Sequence, residues 1–325
     1  MKKLLIATTA LVATAGMAAA DVKLTGYAEI GMTDAGGTNG MEMHSDMDIG
    51  FKLSGASDNG LTFGASIDLD EVSGGIASTG GSQAINVSGA FGTLTMGDTD
   101  GAMDKRNNEV GSLTAISDNH TGHAGYNGGS GLDSGDILRY DTSVGSFNVS
   151  ASIGQDDTAG NNDVMGYGLS TTVGTVAVSV GYQTDDAQDI TAVSAKSTVG
   201  GLTMTANYSE ATMTDTKAIT GVAASITAAT STAVAFNVLA VTAKDLVVNS
   251  YEHTGVGLGY TVNGVALSAN MGEYSYNDGT SADGMGVAAN YGLGGGATVM
   301  VGYGSSSSVA NVSSDTFSIG LGLSF

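Results

Sequence analysis

The chain has 325 residues, including 51 glycines and no cysteine, proline or tryptophan, and ten Lys and Arg face 32 Asp and Glu. The lack of cysteine excludes disulfide-stapled scaffolds and thiol catalysis. A formal charge of −22 argues against nucleic acid as a partner, because phosphate binding needs a basic surface.

The first twenty residues have the parts of a secretory signal. Lys2 and Lys3 form a positive start, residues 4–17 are apolar, and Ala18-Ala19-Ala20 precedes Asp21. The apolar stretch is too short to cross a bilayer as a helix. We therefore expect residues 1–20 to be a cleaved signal peptide and residues 21–325 to form the mature domain.

From Asp21 onward the dominant hydrophobic period is two, which predicts strands with one apolar and one polar face. Residues 61–69 (LTFGASIDL) and 175–183 (TVAVSVGYQ) are typical. The predicted strands are residues 22–32, 43–54, 61–71, 83–90, 93–98, 136–144, 146–154, 164–173, 175–183, 190–199, 201–209, 252–262, 264–274, 283–292, 297–304 and 315–325. Most are long enough to cross the hydrocarbon at a tilt.

The connections between these strands distinguish a membrane barrel from a soluble sandwich. Seven short turns recur, at residues 57–60, 91–93, 144–146, 173–175, 199–201, 262–264 and 293–295. The connections between them are long and rich in Asp, Asn, Gly and Ser, which is the pattern of short periplasmic turns and long external loops. The prediction is an all-β fold, a transmembrane antiparallel β-barrel of sixteen strands.

Two connections are much longer than the others. Residues 99–135, the third loop, are acidic, and residues 209–251 contain an uncharged tract at 218–243. That tract is long enough for a membrane helix, but Ser and Thr interrupt it, and we expect a folded external loop. An additional strand pair within it, giving eighteen strands, is the alternative.

The inward face of the predicted strands consists of small residues, such as Gly286, Ala288, Asn290 and Gly292. Small side chains cannot fill a barrel of this size, so it should enclose an aqueous channel. The outward face is apolar, and a sheet in lipid must close because open edges leave backbone groups unsatisfied. The last strand alternates to the end of the chain and stops on Phe325.

Several segments resemble the trimeric general-diffusion porins of Gram-negative bacteria, especially the alphaproteobacterial (Rhodobacter-type) porins. They are residues 22–28 (VKLTGYA), 59–66 (NGLTFGAS), 87–98 (VSGAFGTLTMGD), 138–141 (LRYD) and 291–297 (YGLGGGA). The resemblance implies a homotrimer in the outer membrane that passes ions and small hydrophilic solutes. It also implies contacts with membrane lipid and lipopolysaccharide, and a role for Phe325 as a signal to the barrel-assembly machinery.

The resemblance further implies that the third loop folds into the pore and that its acids face a basic cluster on the wall. The candidate constriction residues in the loop are Asp100, Asp104, Lys105, Arg106, Glu109 and Asp118. The candidate wall residues are Lys23, Glu29, Asp46, Asp48, Lys52 and Arg139. Positions 29, 46 and 48 often carry arginine in the resembling proteins, and this chain has only Arg106 and Arg139. With the basic half reduced to Lys23, Lys52 and Arg139, helped by Lys196, we expect a preference for cations.

Other functions have less support. The chain lacks G-x-S-x-G, H-E-x-x-H and a cysteine nucleophile, so an enzyme is not expected. The four histidines, at positions 44, 120, 123 and 253, fall in or beside predicted external loops. His120 and His123 have the spacing to hold a metal, but without further donors they suggest plain surface residues. No cofactor is expected, although acidic loops are able to hold structural Ca²⁺. A β-solenoid would need a short glycine–aspartate repeat, which is absent. A substrate-specific channel is the nearest alternative, but such channels use aromatic tracks, and the predicted inner face has few aromatics beyond Tyr27.

Overall fold

The computed structural model describes residues 21–36, 40–72, 75–76, 83–111, 113–118, 120–123, 125–126, 137–155, 163–185, 188–213, 224–228, 234–238, 250–310 and 312–325. The predicted signal peptide lies outside the described residues. Sixteen strands form the closed barrel. They are β1 (Asp21–Asp34), β2 (Glu42–Ala56), β3 (Thr62–Val72), β4 (Gln83–Gly89), β5 (Gly92–Gly97), β6 (Ile137–Val144), β7 (Phe147–Gly154), β8 (Val164–Val173), β9 (Val176–Thr184), β10 (Gln188–Val199), β11 (Leu202–Met213), β12 (Tyr251–Val262), β13 (Val265–Tyr276), β14 (Ser281–Gly294), β15 (Ala297–Ser307) and β16 (Ser313–Ser324).

Each strand pairs antiparallel with the next, and β1 pairs with β16 to close the barrel, with Tyr27 opposite Ser324 and Asp34 opposite Phe317. The predicted strands are confirmed, with ends shifted by a few residues. A two-residue strand, Gly75–Ile76, pairs with the end of β3. The strands Ala224–Ala228 and Val234–Val238 form a separate hairpin outside the barrel sheet. The barrel therefore has sixteen strands and not eighteen.

All seven predicted short turns lie at one end of the barrel, together with Asp21 and Phe325. Glycines in the left-handed region make these turns tight, as at Gly145 (φ 61°) and Gly174 (φ 64°). At the other end, two connections are tighter than expected, because the strands extend further into them: only residues 185–187 join β9 to β10 and only residues 277–280 join β13 to β14. In the described part of the chain no helix is long and apolar enough to span a membrane.

Strand pairing fixes which residues share a face, and the outward face is apolar. Leu258 of β12 is 51% exposed and Val22 of β1 is 62% exposed, as lipid contact requires. Apart from Ala211 of β11, the most deeply buried apolar side chains of the described residues lie instead in the third loop, at Ala102, Met103, Val110, Ala115 and Ile116. The loop is therefore packed inside the barrel.

Candidate pore constriction

The third loop begins with a short helix, α1 (Ala102–Arg106), that packs on the inner faces of β7, β8 and β9. The backbone N–H of Ala102 donates to Ser152 Oγ at 2.8 Å. Met103 packs with Ile190, Ala192 and Ala211, three inward residues of β10 and β11. A 3₁₀ turn, Ile116–Asp118, then lies against β15, β16 and β1. The loop thus follows the inner wall from β7 around to β1.

Glycines on the inner wall form the seat of this loop. A Cβ atom at Gly168, Gly257, Gly272 or Gly286 would overlap a backbone carbonyl of the loop. The carbonyls are those of Ala102, Val110, Gly125 and His120 respectively. The small inward residues therefore do more than widen the channel, because the glycines admit the loop backbone to van der Waals contact with the wall.

Arg106 and Arg139 share one carboxylate. Arg106 Nη2 lies 2.9 Å from Asp141 Oδ1, and Arg139 Nε lies 2.9 Å from Asp141 Oδ2. Arg139 also donates to Thr99 Oγ1 at 2.8 Å and to the Asp100 carbonyl. Arg139 is 5% exposed, so it faces inward as predicted but is covered by the loop. Both arginines fasten the root of the loop to β6 and contribute little open positive surface to the pore.

Glu29 holds the far end of the loop. Its carboxylate accepts hydrogen bonds from the Ser117 backbone N–H (2.9 Å) and from the Tyr27 hydroxyl (3.1 Å), and His44 Nε2 lies at 3.2 Å. Ser117 and Asp118 have φ angles of 55° and 46°, in the left-handed region. Glu29, predicted as an inward wall residue, is 9% exposed and positions this turn.

The expectation that His120 and His123 are surface residues is wrong, and His253 is buried with them. His120 and His253 are fully buried and His123 is 7% exposed, all between the loop and the wall. His120 donates to the Leu113 carbonyl, and His253 donates to the Gly125 carbonyl at 2.5 Å. His123 Nε2 lies 2.5 Å from Asn270 Oδ1. Burial lowers the pKa of His120, although its hydrogen bond to Leu113 and the charge of Asp118 oppose this.

Loop acids line the remaining lumen. Glu109 and Asp118 are exposed and share a cavity of about 680 Å³ with Lys196 and Tyr126. Burial and the nearby Glu29 carboxylate raise the pKa of Asp118, although His120 opposes this. Burial and Glu109 raise the pKa of Tyr126 to about 12. Asp104, on α1, is half-buried.

One loop acid has a basic neighbour on the loop itself. Asp100 Oδ2 lies 3.6 Å from Lys105 Nζ, and both side chains are well exposed.

The wall of β1 to β3 carries an acidic wall patch, defined by Asp46, Asp48 and Asp68. Asp48 lies opposite Tyr27 in the pairing, and Asp68 lies opposite Gly50, so these residues share the inward face with Glu29. Lys23 and Lys52 are also direct partners, displaced along the barrel toward the short-turn end. Acids and bases on this wall are therefore separated along the pore axis.

Sequence reasoning missed Asp141, the buried histidines and the seat glycines. Asp141 could have been found, because Arg139 and Asp141 are two residues apart and share a strand face. The other residues depend on the path of the loop, for which the sequence has no local signal. Among the described residues, no three His, Asp or Glu lie close enough to hold a metal ion, and Ca²⁺ in the acidic loops stays a prediction.

A closed barrel narrowed by its own inward loop is the architecture of a porin-type channel. The model of the Gram-negative porin family matches residues 7–311. The chain therefore belongs to the Gram-negative porin family, whose members are channels of the outer membrane.

Similar proteins agree with this assignment. A porin of Rhodobacter capsulatus is 34% identical over 179 residues, which span 52% of this chain and 58% of that protein. A porin structure refined at 1.8 Å covers 94% of this chain and 100% of its own, with a TM-score of 0.69 and 20% identity. The anion-selective porin from Comamonas acidovorans has a TM-score of 0.63 at 12% identity, with 94% of this chain and 100% of that chain covered. These structures are too distant in sequence to indicate more than the fold.

Proposed function

We propose that the chain forms a water-filled channel for passive diffusion of ions and small hydrophilic solutes, with a preference for cations. The observation that carries this proposal is the charge of the lumen. The acidic wall patch and the exposed loop acids Glu109 and Asp118 line the lumen. Arg106 and Arg139 form ion pairs with Asp141, so they add little positive charge to it. Among the described residues, the basic side chains that remain open to the lumen are lysines. One of them, Lys105, has the Asp100 carboxylate 3.6 Å from its Nζ.

The magnitude of the preference follows from Coulomb energies. One unit charge about 5 Å from a passing ion is worth about 0.8 kcal/mol in water-like dielectric. A net excess of two negative charges at this distance then gives about 1.6 kcal/mol, or about a tenfold preference. Salt at about 0.1 M screens charges over about 10 Å, so a narrow constriction keeps most of this effect.

The test is the reversal potential across a KCl gradient in planar bilayers. We expect the parent channel to favour K⁺, and the double variant Asp46→Asn/Asp48→Asn to lose about half or more of the preference. Asp283→Asn is the matched control, because Asp283 pairs with Ser307 on the outward face. Anion preference in the parent, or a shift in the control equal to that of the double variant, would contradict the proposal.

The assembly is proposed to be a homotrimer, as in the resembling porins, with lipid and lipopolysaccharide around the apolar outer face. Native electrophoresis and light scattering in detergent measure the number of copies. A stable monomer as the only functional channel would contradict the trimer while leaving the channel proposal standing.

A further inference from the structure

Four aromatic residues form a two-by-two grid on the inner wall, at the end of the barrel opposite the short turns. In the pairing of β12 with β13, Tyr251 lies opposite Tyr276 and His253 lies opposite Tyr274. Tyr251 shares its face with Ala211, which is fully buried inside the barrel. The grid therefore faces the lumen, and the expectation of few inward aromatics beyond Tyr27 is wrong.

The tyrosines of the grid, Tyr251, Tyr274 and Tyr276, pack as one surface, which we call the tyrosine patch. The Tyr251 and Tyr274 ring centroids are 5.0 Å apart, and those of Tyr274 and Tyr276 are 6.2 Å apart and nearly parallel, at 21°. His253 is fully buried under the loop, whereas each tyrosine remains partly exposed. The patch thus extends from the third loop toward the long-loop end.

The aromatic surface continues into the constriction. Gly125 of the loop contacts His253 and Gly272 at the base of the grid. The next residue, Tyr126, lines the cavity of about 680 Å³ between the loop and the wall. A solute that enters at the long-loop end meets the patch first and Tyr126 afterwards.

The neighbours of the patch favour a neutral ligand. In the rows of the pairing that contain the tyrosines, the inward positions beside the grid are Ser209, Ala211 and Ala282. These side chains are small and uncharged, so they leave space above the rings and offer no ion a partner. Aromatic rings with phenol hydroxyls suit a solute that has an apolar face and hydroxyl edges.

We infer that the tyrosine patch is a binding subsite for neutral carbohydrates, which slows their passage and gives the channel a preference for sugars over inert solutes of equal size. This inference rests on the proposed channel function and deepens it. The subsite acts by stacking and hydrogen bonding, with no covalent step.

The test uses maltotriose as the probe in single-channel recordings. We expect maltotriose to reduce the parent's conductance in a saturable way, and Tyr276→Ala to weaken that block about two- to tenfold. Tyr276→Phe, which keeps the ring, should retain most of the block. Tyr167→Ala is the matched control, because Tyr167 is 50% exposed and shares the outward face with Leu169. Maltotriose should block this variant as strongly as it blocks the parent.

A polyethylene glycol of similar size distinguishes binding from simple crowding, since it should lower conductance without saturation in every variant. Maltotriose that behaves like the glycol, or a block that survives in Tyr274→Ala/Tyr276→Ala, would overturn the inference. Saturable block by tetramethylammonium in place of sugar would overturn the carbohydrate assignment. The conductance in KCl without sugar tests the channel itself, so failure of the proposed function is seen separately.

Discussion

Asp141 lies between two guanidinium groups, with one carboxylate oxygen 2.9 Å from Arg106 of the loop and the other 2.9 Å from Arg139 of its own strand. Ser150 donates a further hydrogen bond, at 2.5 Å, to Asp141 Oδ1. A single carboxylate thus neutralises part of two positive charges that are largely withdrawn from water. Asp141 therefore links the loop, through Arg106, to the barrel strand that carries Arg139.

Replacing Asp141 by asparagine should destabilise the barrel by about 1–3 kcal/mol, because two covered cations lose their partner. The estimate is below that for a fully buried pair, since Arg106 and Asp141 are 16% and 18% exposed. The measurement is urea unfolding in detergent. Asp100→Asn is the control, because its partner is the exposed Lys105, and the loss should be under about 0.5 kcal/mol. Equal effects of the two variants would contradict this account.

The glycine seat predicts a change in conductance. In Gly286→Ala the new Cβ would overlap the His120 carbonyl, so the loop must move away from the wall and into the lumen. We expect a smaller single-channel conductance and a stability loss of about 1–3 kcal/mol, as for an overpacked core. Gly292→Ala, on the same strand and face, meets nothing within 4 Å and should behave like the parent. A normal conductance in Gly286→Ala would show that the loop is not seated there.

Gly286 and Gly292 show how far the sequence predicts the structure. Alternation placed both Gly286 and Gly292 on the inward face of one strand, and this is confirmed, because a period of two is a local property. Only the path of the loop makes them different, since it places a carbonyl against Gly286 and open space beside Gly292. The same limit applies to His120, which local sequence suggests is exposed and tertiary packing buries.

The charged residues show the same difference between what the strand period predicts and what the path of the loop determines. The positions of Asp46 and Asp48 on the inward face follow from strand period and pairing. Arg139 also faces inward, but its removal from the open lumen depends on contacts with Thr99 and Asp100, which belong to the irregular start of the third loop. Periodicity cannot predict contacts between a strand and a remote irregular segment.

Phe325 should affect assembly more than stability. Its backbone N–H donates to the Gly26 carbonyl at 2.8 Å, while its side chain is 82% exposed. Phe325→Ala keeps the backbone bond and loses little packing, so barrels that do assemble should unfold within about 1 kcal/mol of the parent. We expect lower outer-membrane levels, measured by fractionation, and recovery with Phe325→Tyr. Parent-like levels in Phe325→Ala would show that the ring is not read as an assembly signal.

Asp118 gives the channel a specific pH dependence. Its pKa is raised by burial and by the Glu29 carboxylate, so as pH falls it takes up a proton before an ordinary aspartate, whose pKa is about 3.9. His120 opposes this rise, but burial lowers its own pKa and so weakens its opposition. The charged form of Asp118 is therefore present at neutral pH and is lost as pH falls through the raised pKa. We expect the preference for K⁺ to weaken as pH is lowered from about 7 toward 4.

Asp118→Asn isolates this effect, since asparagine has nearly the same shape and tolerates the left-handed backbone at this position (φ 46°). The variant should show a weaker K⁺ preference at neutral pH, and its remaining pH dependence should begin at lower pH than in the parent. Because folding raises this pKa, the folded barrel favours the protonated carboxyl. The stability that Asp118 contributes therefore increases as pH falls through this range. Removing the charge should thus leave the free energy of unfolding at neutral pH unchanged or higher. Superimposable reversal-potential profiles of parent and variant between about pH 4 and 7 would show that Asp118 does not control the charge of the lumen.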